Sequence, residues 1–318
     1  MKNISVSIGK MRLGNPVIAA SGAFGYAREF AGLTDINKLG AIVTKTITLN
    51  SREGNPPPRL AETASGLINA IGLQNKGIDN FLKDDIPYLR TLKTRVIVSI
   101  AGANTREFAE LSRRLDIDGV AGLELNLSCP NIGMRRMFVG RSGRRKGVFG
   151  AAKVGLIAQD ARRTYRAVFA ARRATQKTII AKLSPNVGDI SLIARAAEQA
   201  GADSVCIANT FLAMAMDTKT RRPRLANITG GLSGPAIRPI ALRMVWQACQ
   251  DIDIPVIGCG GIMSAQDALE FLVAGASAVE VGTANLVDPQ SGINIIRGIG
   301  DYLRERKIKC LSCLRWRQ

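Results

Sequence analysis

Eight short apolar runs, most of them separated by segments of helical period, constrain this chain more than any other feature. They lie at 16–20, 41–46, 96–101, 123–127, 179–183, 205–208, 256–258 and 278–281. Short apolar runs read as strands, and strands alternating with helices build a parallel sheet. Three helix boundaries are written in side chains. Thr105 is placed to cap a helix running through Leu111, and Asp189 caps another that reaches Gln199 and stops at Gly201. The capping-box-like Ser264-Ala-Gln-Asp267 opens a third helix, ending at Gly275. Eight is the number of strands that closes a parallel barrel, so the expected class is α/β, a (β/α)8 TIM barrel. Residues 4–8 and Met11–Leu13, joined by Gly9-Lys10, add an N-terminal β-hairpin. The alternative, an open doubly wound sheet, lacks any strand followed by a Gly-x-Gly-x-x-Gly turn. A chain of 318 residues, 46% hydrophobic, suits a single such domain over 1–318.

The stretch Gly122-Leu-Glu-Leu-Asn-Leu-Ser-Cys-Pro-Asn131 is the most informative of the eight. Leu123, Leu125 and Leu127 alternate with Glu124, Asn126 and Ser128, the pattern of a strand buried on one side. Pro130 then ends it, because proline cannot donate to a sheet ladder. A cysteine before a turn is often only a small buried residue. Here, though, the other runs also end in polar or glycine residues: Ser21, Lys45-Thr46, Ser99, Lys182, Asn209-Thr210, Gly260-Gly261 and Gly282-Thr283. In a barrel those ends converge on one mouth, where such folds keep their chemistry. Ser and Thr there can serve as helix caps and a glycine pair as a tight turn. Lys45 and Lys182 are harder to set aside, because a lysine in an apolar run is costly unless it meets an anion. They suggest a bound negatively charged or electron-accepting group, and with Gly258-Cys-Gly-Gly261 and Gly282-Thr-Ala-Asn285 on the last two strands they point to a phosphorylated cofactor.

Histidine is absent, which removes Ser-His-Asp hydrolysis, His-based zinc catalysis and imidazole acid–base chemistry. A proton-transfer group must then be Cys, Lys, Tyr, Asp or Glu. Six scattered cysteines form no disulfide framework, and Lys10 and Arg12 interrupt any leader-like apolar region, so a reducing cytoplasm is expected. No apolar run approaches the roughly 20 residues of a membrane helix. The net charge is +19. Residues 132–177 hold thirteen Lys/Arg against the single acid Asp160, so an anionic neighbour is expected for that basic insertion. A short basic C-terminal tail carries one isolated Cys310-Leu-Ser-Cys313. With no second cysteine pair, nothing here suits an iron–sulfur cluster, and no metal site is expected.

Nine stretches together resemble the class 1B catalytic subunits of the dihydroorotate dehydrogenases. They are Ala19-Ala-Ser-Gly-Ala-Phe-Gly25, Thr44-Lys-Thr46, Gly54-Asn-Pro-Pro-Pro-Arg59, Asn69-Ala-Ile-Gly-Leu-Gln-Asn75, Asn126-Leu-Ser-Cys-Pro-Asn131, Lys182-Leu-Ser-Pro-Asn-Val187, Asn209-Thr210, Gly230-Gly-Leu-Ser-Gly-Pro-Ala-Ile237 and Gly258-Cys-Gly-Gly-Ile262. The resemblance implies a barrel that holds FMN and oxidises dihydroorotate in pyrimidine biosynthesis. It makes Cys129 the base that takes the C5 proton while C6 gives hydride to flavin N5. It places the substrate against Lys45, Asn69, the backbone of Ala70, Ile71, Gly72 and Leu73, and against Asn126, Asn209 and Thr210. It gives FMN to Ser21, Lys45, Thr46, Ser99, Asn126 and Lys182, and to Ala208, Gly234, Gly260, Gly261, Gly282 and Thr283. It also implies a partner subunit carrying FAD and an iron–sulfur cluster that passes electrons to NAD, in a homodimer or heterotetramer. Those roles fit the residue types. Asn offers both donors and acceptor to a ring of amides, a lysine stabilises an anion, and a thiol is a usable base in an electropositive site.

Three departures from that family stand out. The segment between Asn131 and Lys182 is longer and arginine-rich, with Lys146-Gly-Val-Phe-Gly150 in place of the usual glycine-rich loop. Ser99 stands where an Asn is usual, and Ala208 replaces a larger aliphatic residue. Two other readings were weighed. A tRNA-dihydrouridine synthase-like flavin reductase also has Cys-Pro after strand four and would use the basic segment on RNA. Lys45, Asn69 and Asn209-Thr210 instead suit a small orotate-like ring, and no RNA-binding domain follows the barrel, so nucleic acid is not expected. A non-catalytic basic protein on a degenerate barrel would have no reason to keep Lys45, Cys129 and Lys182.

Overall fold

The computed structural model describes residues 4–127 and 157–316. Eight strands close a barrel: β1 (Val17–Ala19), β2 (Ala41–Val43), β3 (Arg95–Ile100), β4 (Gly122–Asn126), β5 (Thr178–Lys182), β6 (Ser204–Ile207), β7 (Val256–Cys259) and β8 (Ala278–Val281). Each pairs in parallel with its neighbours in chain order, β5 against β6 and β8 against β1, which is the expected (β/α)8 arrangement. The order follows from short right-handed crossovers, which lay each strand beside the one before it.

Alternation within the strands separates two apolar layers. Ile18, Ala41, Val43, Ile97, Ile180 and Ile257 fill the inside, while Val17, Ala19, Ile42, Val96, Val98 and Ile179 pack outward against helices. The hairpin of Val6–Ile8 and Met11–Leu13 plugs the N-terminal end of the barrel, with Ile8, Met11 and Leu13 joining the inner layer. A side chain at Gly122 would come within 3.0 Å of the Met11 sulfur, so β4 begins hard against this plug.

The helices that matter here are α1 (Thr105–Arg114), α2 (Ala161–Arg172), α3 (Ile190–Gln199), α4 (Arg238–Asp251), α5 (Ala265–Val273) and α6 (Ser291–Glu305). Asp189 caps α3, and Ser264 with Asp267 forms the expected capping box on α5. The cap of α1 is Asn104, one residue before Thr105. Its extended backbone lets the side-chain oxygen accept the Glu107 N–H at 3.0 Å. The expectation that β4 is buried on one side also fails, since every residue from Gly122 to Asn126 is buried. A barrel strand has the core on one face and helices on the other, so its polar residues point inward rather than to water.

A four-stranded antiparallel sheet, in the order Phe211–Met214, Thr229–Ser233, Gly66–Asn69 and Leu60–Thr63, was not anticipated. Its strands are short, half-exposed and glycine-containing, which leaves little pattern to read. It brings Leu60, Leu67 and Asn69 over the C-terminal ends of the barrel strands. The Ser233 hydroxyl meets that of Thr283, just after β8, at 2.9 Å. Among the described residues, no helix is long and apolar enough to cross a membrane.

Candidate active site

Between the barrel mouth and this sheet lies a cavity of about 500 Å³, in the range of small-molecule and cofactor sites. The strand ends supply its floor. Ser21, Lys45, Thr46, Asn126, Lys182 and Ala208 reach it from β1, β2, β4, β5 and β6. Asn209, Thr210, Gly260, Gly261, Gly282 and Thr283 follow β6, β7 and β8, with Gly234 beyond the small sheet. Asn69, Ile71, Gly72 and Leu73 form the opposite wall.

The polar side chains are tied into one chain of hydrogen bonds. The Asn209 amide donates to Asn126 Oδ1 at 3.4 Å, and Asn126 Nδ2 donates to Thr46 Oγ1 at 3.1 Å. Thr46 Oγ1 lies 2.9 Å from the Ser99 hydroxyl and 3.4 Å from that of Ser21. Asn69 is held by donating to the Gly231 carbonyl at 3.2 Å. Such fixed amides can read a planar ring of donors and acceptors without reorganising.

Two expected contacts fall elsewhere. Ser99 is fully buried behind Thr46, so it braces that hydroxyl and does not line the cavity. Ala70 is fully buried too, its N–H donating to Arg59 O and its carbonyl accepting from Asn55, so its backbone groups serve the loop. Cys129 lies outside the described residues, as do Arg135, Arg136, Arg144, Arg145 and Lys146 of the basic insertion.

Beneath the floor, Lys182 finds its anions inside the barrel itself. Its ammonium contacts Glu280 Oε2 and lies 3.2 Å from Glu124 Oε2, and both carboxylates are fully buried. Burial first, and then the charge of Glu280, push the Glu124 carboxyl well above the usual carboxylate range. Burial opposes the charge on Lys182, but the surrounding acids outweigh it and raise its pKa. Cys206, Cys259 and Glu280 also place ligand atoms within 4.8 Å of one another, but the Lys182 ammonium already sits on Glu280 as the cation of this cluster.

Two charged residues of the cavity lining escaped the sequence reading. Arg59 lines the cavity and is fixed by three loop acceptors: Asn55 O, Gln74 Oε1 at 2.7 Å and Glu53 O at 3.3 Å. Its place in Gly54-Asn-Pro-Pro-Pro-Arg59 was the available signal. Glu29 lies at the same edge. Lys45 is half-buried beside them, and burial, with help from Arg59 and against Glu29, lowers its pKa. No carboxylate among the described residues pairs with Lys45 or Arg59, so this wall suits an anionic substrate group.

The opposite wall is built from backbone. Gly234, Gly260 and Gly261 have φ of +90°, +131° and +73°, which side chains rarely adopt. A Cβ on Gly261 would come within 2.8 Å of the Gly234 carbonyl, and one on Gly260 within 2.9 Å of the Ala241 Cβ. Glycine is thus required for these turns to close on one another.

Comparison with known proteins joins these observations. The family model for dihydroorotate dehydrogenase matches residues 3–303. The chain belongs to the dihydroorotate dehydrogenase family. It is 50% identical, over 98% of its length and 97% of the relative, to the dihydroorotate dehydrogenase B (NAD(+)) catalytic subunit of Trichlorobacter lovleyi. Proteins of the same description from Thermoanaerobacter pseudethanolicus and Bacteroides thetaiotaomicron are 48% and 46% identical, over 95% and 98% of this chain and 94% and 97% of theirs. In this dihydroorotate dehydrogenase family member, the cavity gathers the motif residues from seven barrel strands and two loops of the accessory sheet.

Proposed function

We propose that this chain oxidises dihydroorotate to orotate as the catalytic subunit of an NAD-linked dihydroorotate dehydrogenase, in a reducing cytoplasm. The convergence of Lys45, Asn69, Asn126, Asn209 and Thr210 on one cavity carries the reading, because their chemistry matches a small ring with two amides and a carboxylate. Lys45 and Arg59 hold the carboxylate, and the asparagines fix the ring.

The residues present fit FMN. The tight glycine turns at Gly234, Gly260 and Gly261 offer backbone N–H groups for a phosphate, and Lys182 with Thr46 and Ser21 lines the floor for the ring system. Bound there, FMN supplies the acceptor for the hydride that leaves C6 of the substrate. Cys129, three residues beyond the end of β4, takes the proton from C5. A free cysteine thiol has a pKa near 8.5, so a site rich in fixed positive charge favours the thiolate such a base needs.

A partner subunit with FAD and an iron–sulfur cluster would carry the electrons to NAD, as the description of the relatives as catalytic subunits supports. The outer face of α2 suits an acidic partner surface: Arg162, Tyr165, Arg166, Phe169 and Arg173 are all exposed along it. Tyr165 and Phe169 stack there at 5.7 Å. Arg172 does not belong to that face, since it pairs with Asp203 at 2.9 Å. Anaerobic addition of dihydroorotate to the purified protein tests the assignment. Loss of the oxidised-flavin absorbance is expected, and a folded, flavin-loaded sample that stays oxidised overturns it.

A further inference from the structure

The short turn Leu311–Leu314 and the residue that precedes it carry two cysteines, Cys310 and Cys313, that the barrel chemistry does not use. The sulfurs of Cys310 and Cys313 lie 2.7 Å apart, and the Cys310 sulfur is also 3.1 Å from the Ser312 hydroxyl. Cys310 occupies the position before the first turn with extended backbone, φ −154° and ψ 163°. From there its carbonyl oxygen accepts the Cys313 N–H at 3.1 Å. The turn is docked. Leu311 and Leu314 are buried, the Trp316 N–H donates to the Val273 carbonyl at the end of α5 at 2.9 Å, and Arg315 donates to Ser277 Oγ at 3.1 Å. Docking leaves Cys313 exposed and Cys310 half-exposed.

We infer that Cys310 and Cys313 are a redox-active dithiol that exchanges with anionic disulfides, at a site separate from the barrel cavity. Four features carry this: the paired sulfurs, the Ser312 hydroxyl beside one of them, the fixed turn and the surrounding charge. The hydrogen bond from Cys313, then that from Ser312, draw the Cys310 thiol below its ordinary range, which makes it the attacking sulfur. Arg304, Arg306, Lys307, Lys309 and Arg315 are exposed within a few residues of the pair, so a negatively charged disulfide such as glutathione disulfide is drawn to it.

The exchange balances in two steps. The Cys310 thiolate attacks one sulfur of the disulfide, forming a mixed disulfide and releasing one thiolate, which takes up a proton. Cys313 gives up its proton and attacks the Cys310 sulfur, closing the Cys310–Cys313 disulfide and releasing the second thiolate. The protein loses two protons and two electrons, and the disulfide becomes two thiols.

The test uses the full-length protein incubated with glutathione disulfide near neutral pH, quenched by alkylation and mapped by mass spectrometry. A peptide joining Cys310 to Cys313, two hydrogens lighter, is expected. Cys249 should stay reduced, because burial pushes its thiol up to about 11. Cys313→Ser should collect glutathione on Cys310, about tenfold faster than Cys310→Ser collects it on Cys313. Cystamine, a cationic disulfide, should react several-fold more slowly with the wild-type pair, and the gap should close in high salt. Two alkylatable cysteines after prolonged incubation, equal adduct rates at the two positions, or no preference for the anionic disulfide would each overturn the inference.

Discussion

Lys182 on β5 and Glu280 on β8, separated by 98 residues in sequence, form a fully buried ion pair inside the barrel, directly below the cavity. Glu124 enters the same cluster from β4, which stands opposite β8 in the barrel. The Glu280 charge raises the Glu124 pKa, so the two acids share the task of balancing one ammonium under the cavity floor.

That relationship predicts strong non-additivity. In Glu280→Gln, removal of the Glu280 charge lets Glu124 ionise and replace it, and in Glu124→Gln the Lys182–Glu280 pair is untouched. Each single change should cost on the order of 1–2 kcal/mol, and the double change about 3–5 kcal/mol beyond their sum, because it strands a buried ammonium. Urea unfolding of the four proteins measures this. Additive losses would contradict the shared charge.

Arg59 is expected to bind the substrate carboxylate. Arg59→Gln should raise the half-saturating dihydroorotate concentration about 10- to 100-fold, the worth of one hydrogen bond between charged groups. Steady-state kinetics with a constant flavin content checks it.

The pH profile follows from Lys45. Its pKa is lowered, chiefly by burial, so the ammonium loses its proton at a lower pH than an ordinary lysine, and substrate affinity falls as pH rises through that value. Arg59 is among the groups that lower it, so in Arg59→Gln the alkaline limb should move to higher pH. A limb that stays in place would remove Lys45 from the binding step.

Gly261→Ala should lose most of its FMN. The new Cβ would meet the Gly234 carbonyl at 2.8 Å and the Arg238 nitrogen at 2.9 Å, at a φ of +73° that alanine rarely adopts. Gly300→Ala, on α6 with nothing within 4 Å, should retain it. Flavin released on denaturation gives the ratio directly.

Cys129→Ala should keep FMN but slow dihydroorotate-driven flavin reduction by about 10²–10⁴, the usual contribution of a positioned base. Stopped-flow absorbance under anaerobic conditions reads the rate. Reduction at the parental rate would move the base to another residue.

The sequence alone determined the barrel. Eight apolar runs, their spacing and the caps at Asp189 and Ser264 are local signals, and the strands they mark have one compact way to close. The same strand ends identified the cavity, because a parallel barrel brings every C-terminal end to one mouth whatever the loops do. The tertiary structure alone decided which polar residues face that cavity and which face each other. Ser99 and Asn126 both follow strand alternation, yet only Asn126 reaches the cavity, since Thr46 from β2 stands in front of Ser99. Alternation set Glu124 on the face opposite the leucines but could not say what lies beyond that face; inside a closed barrel it meets Lys182 and Glu280, from strands far away in sequence.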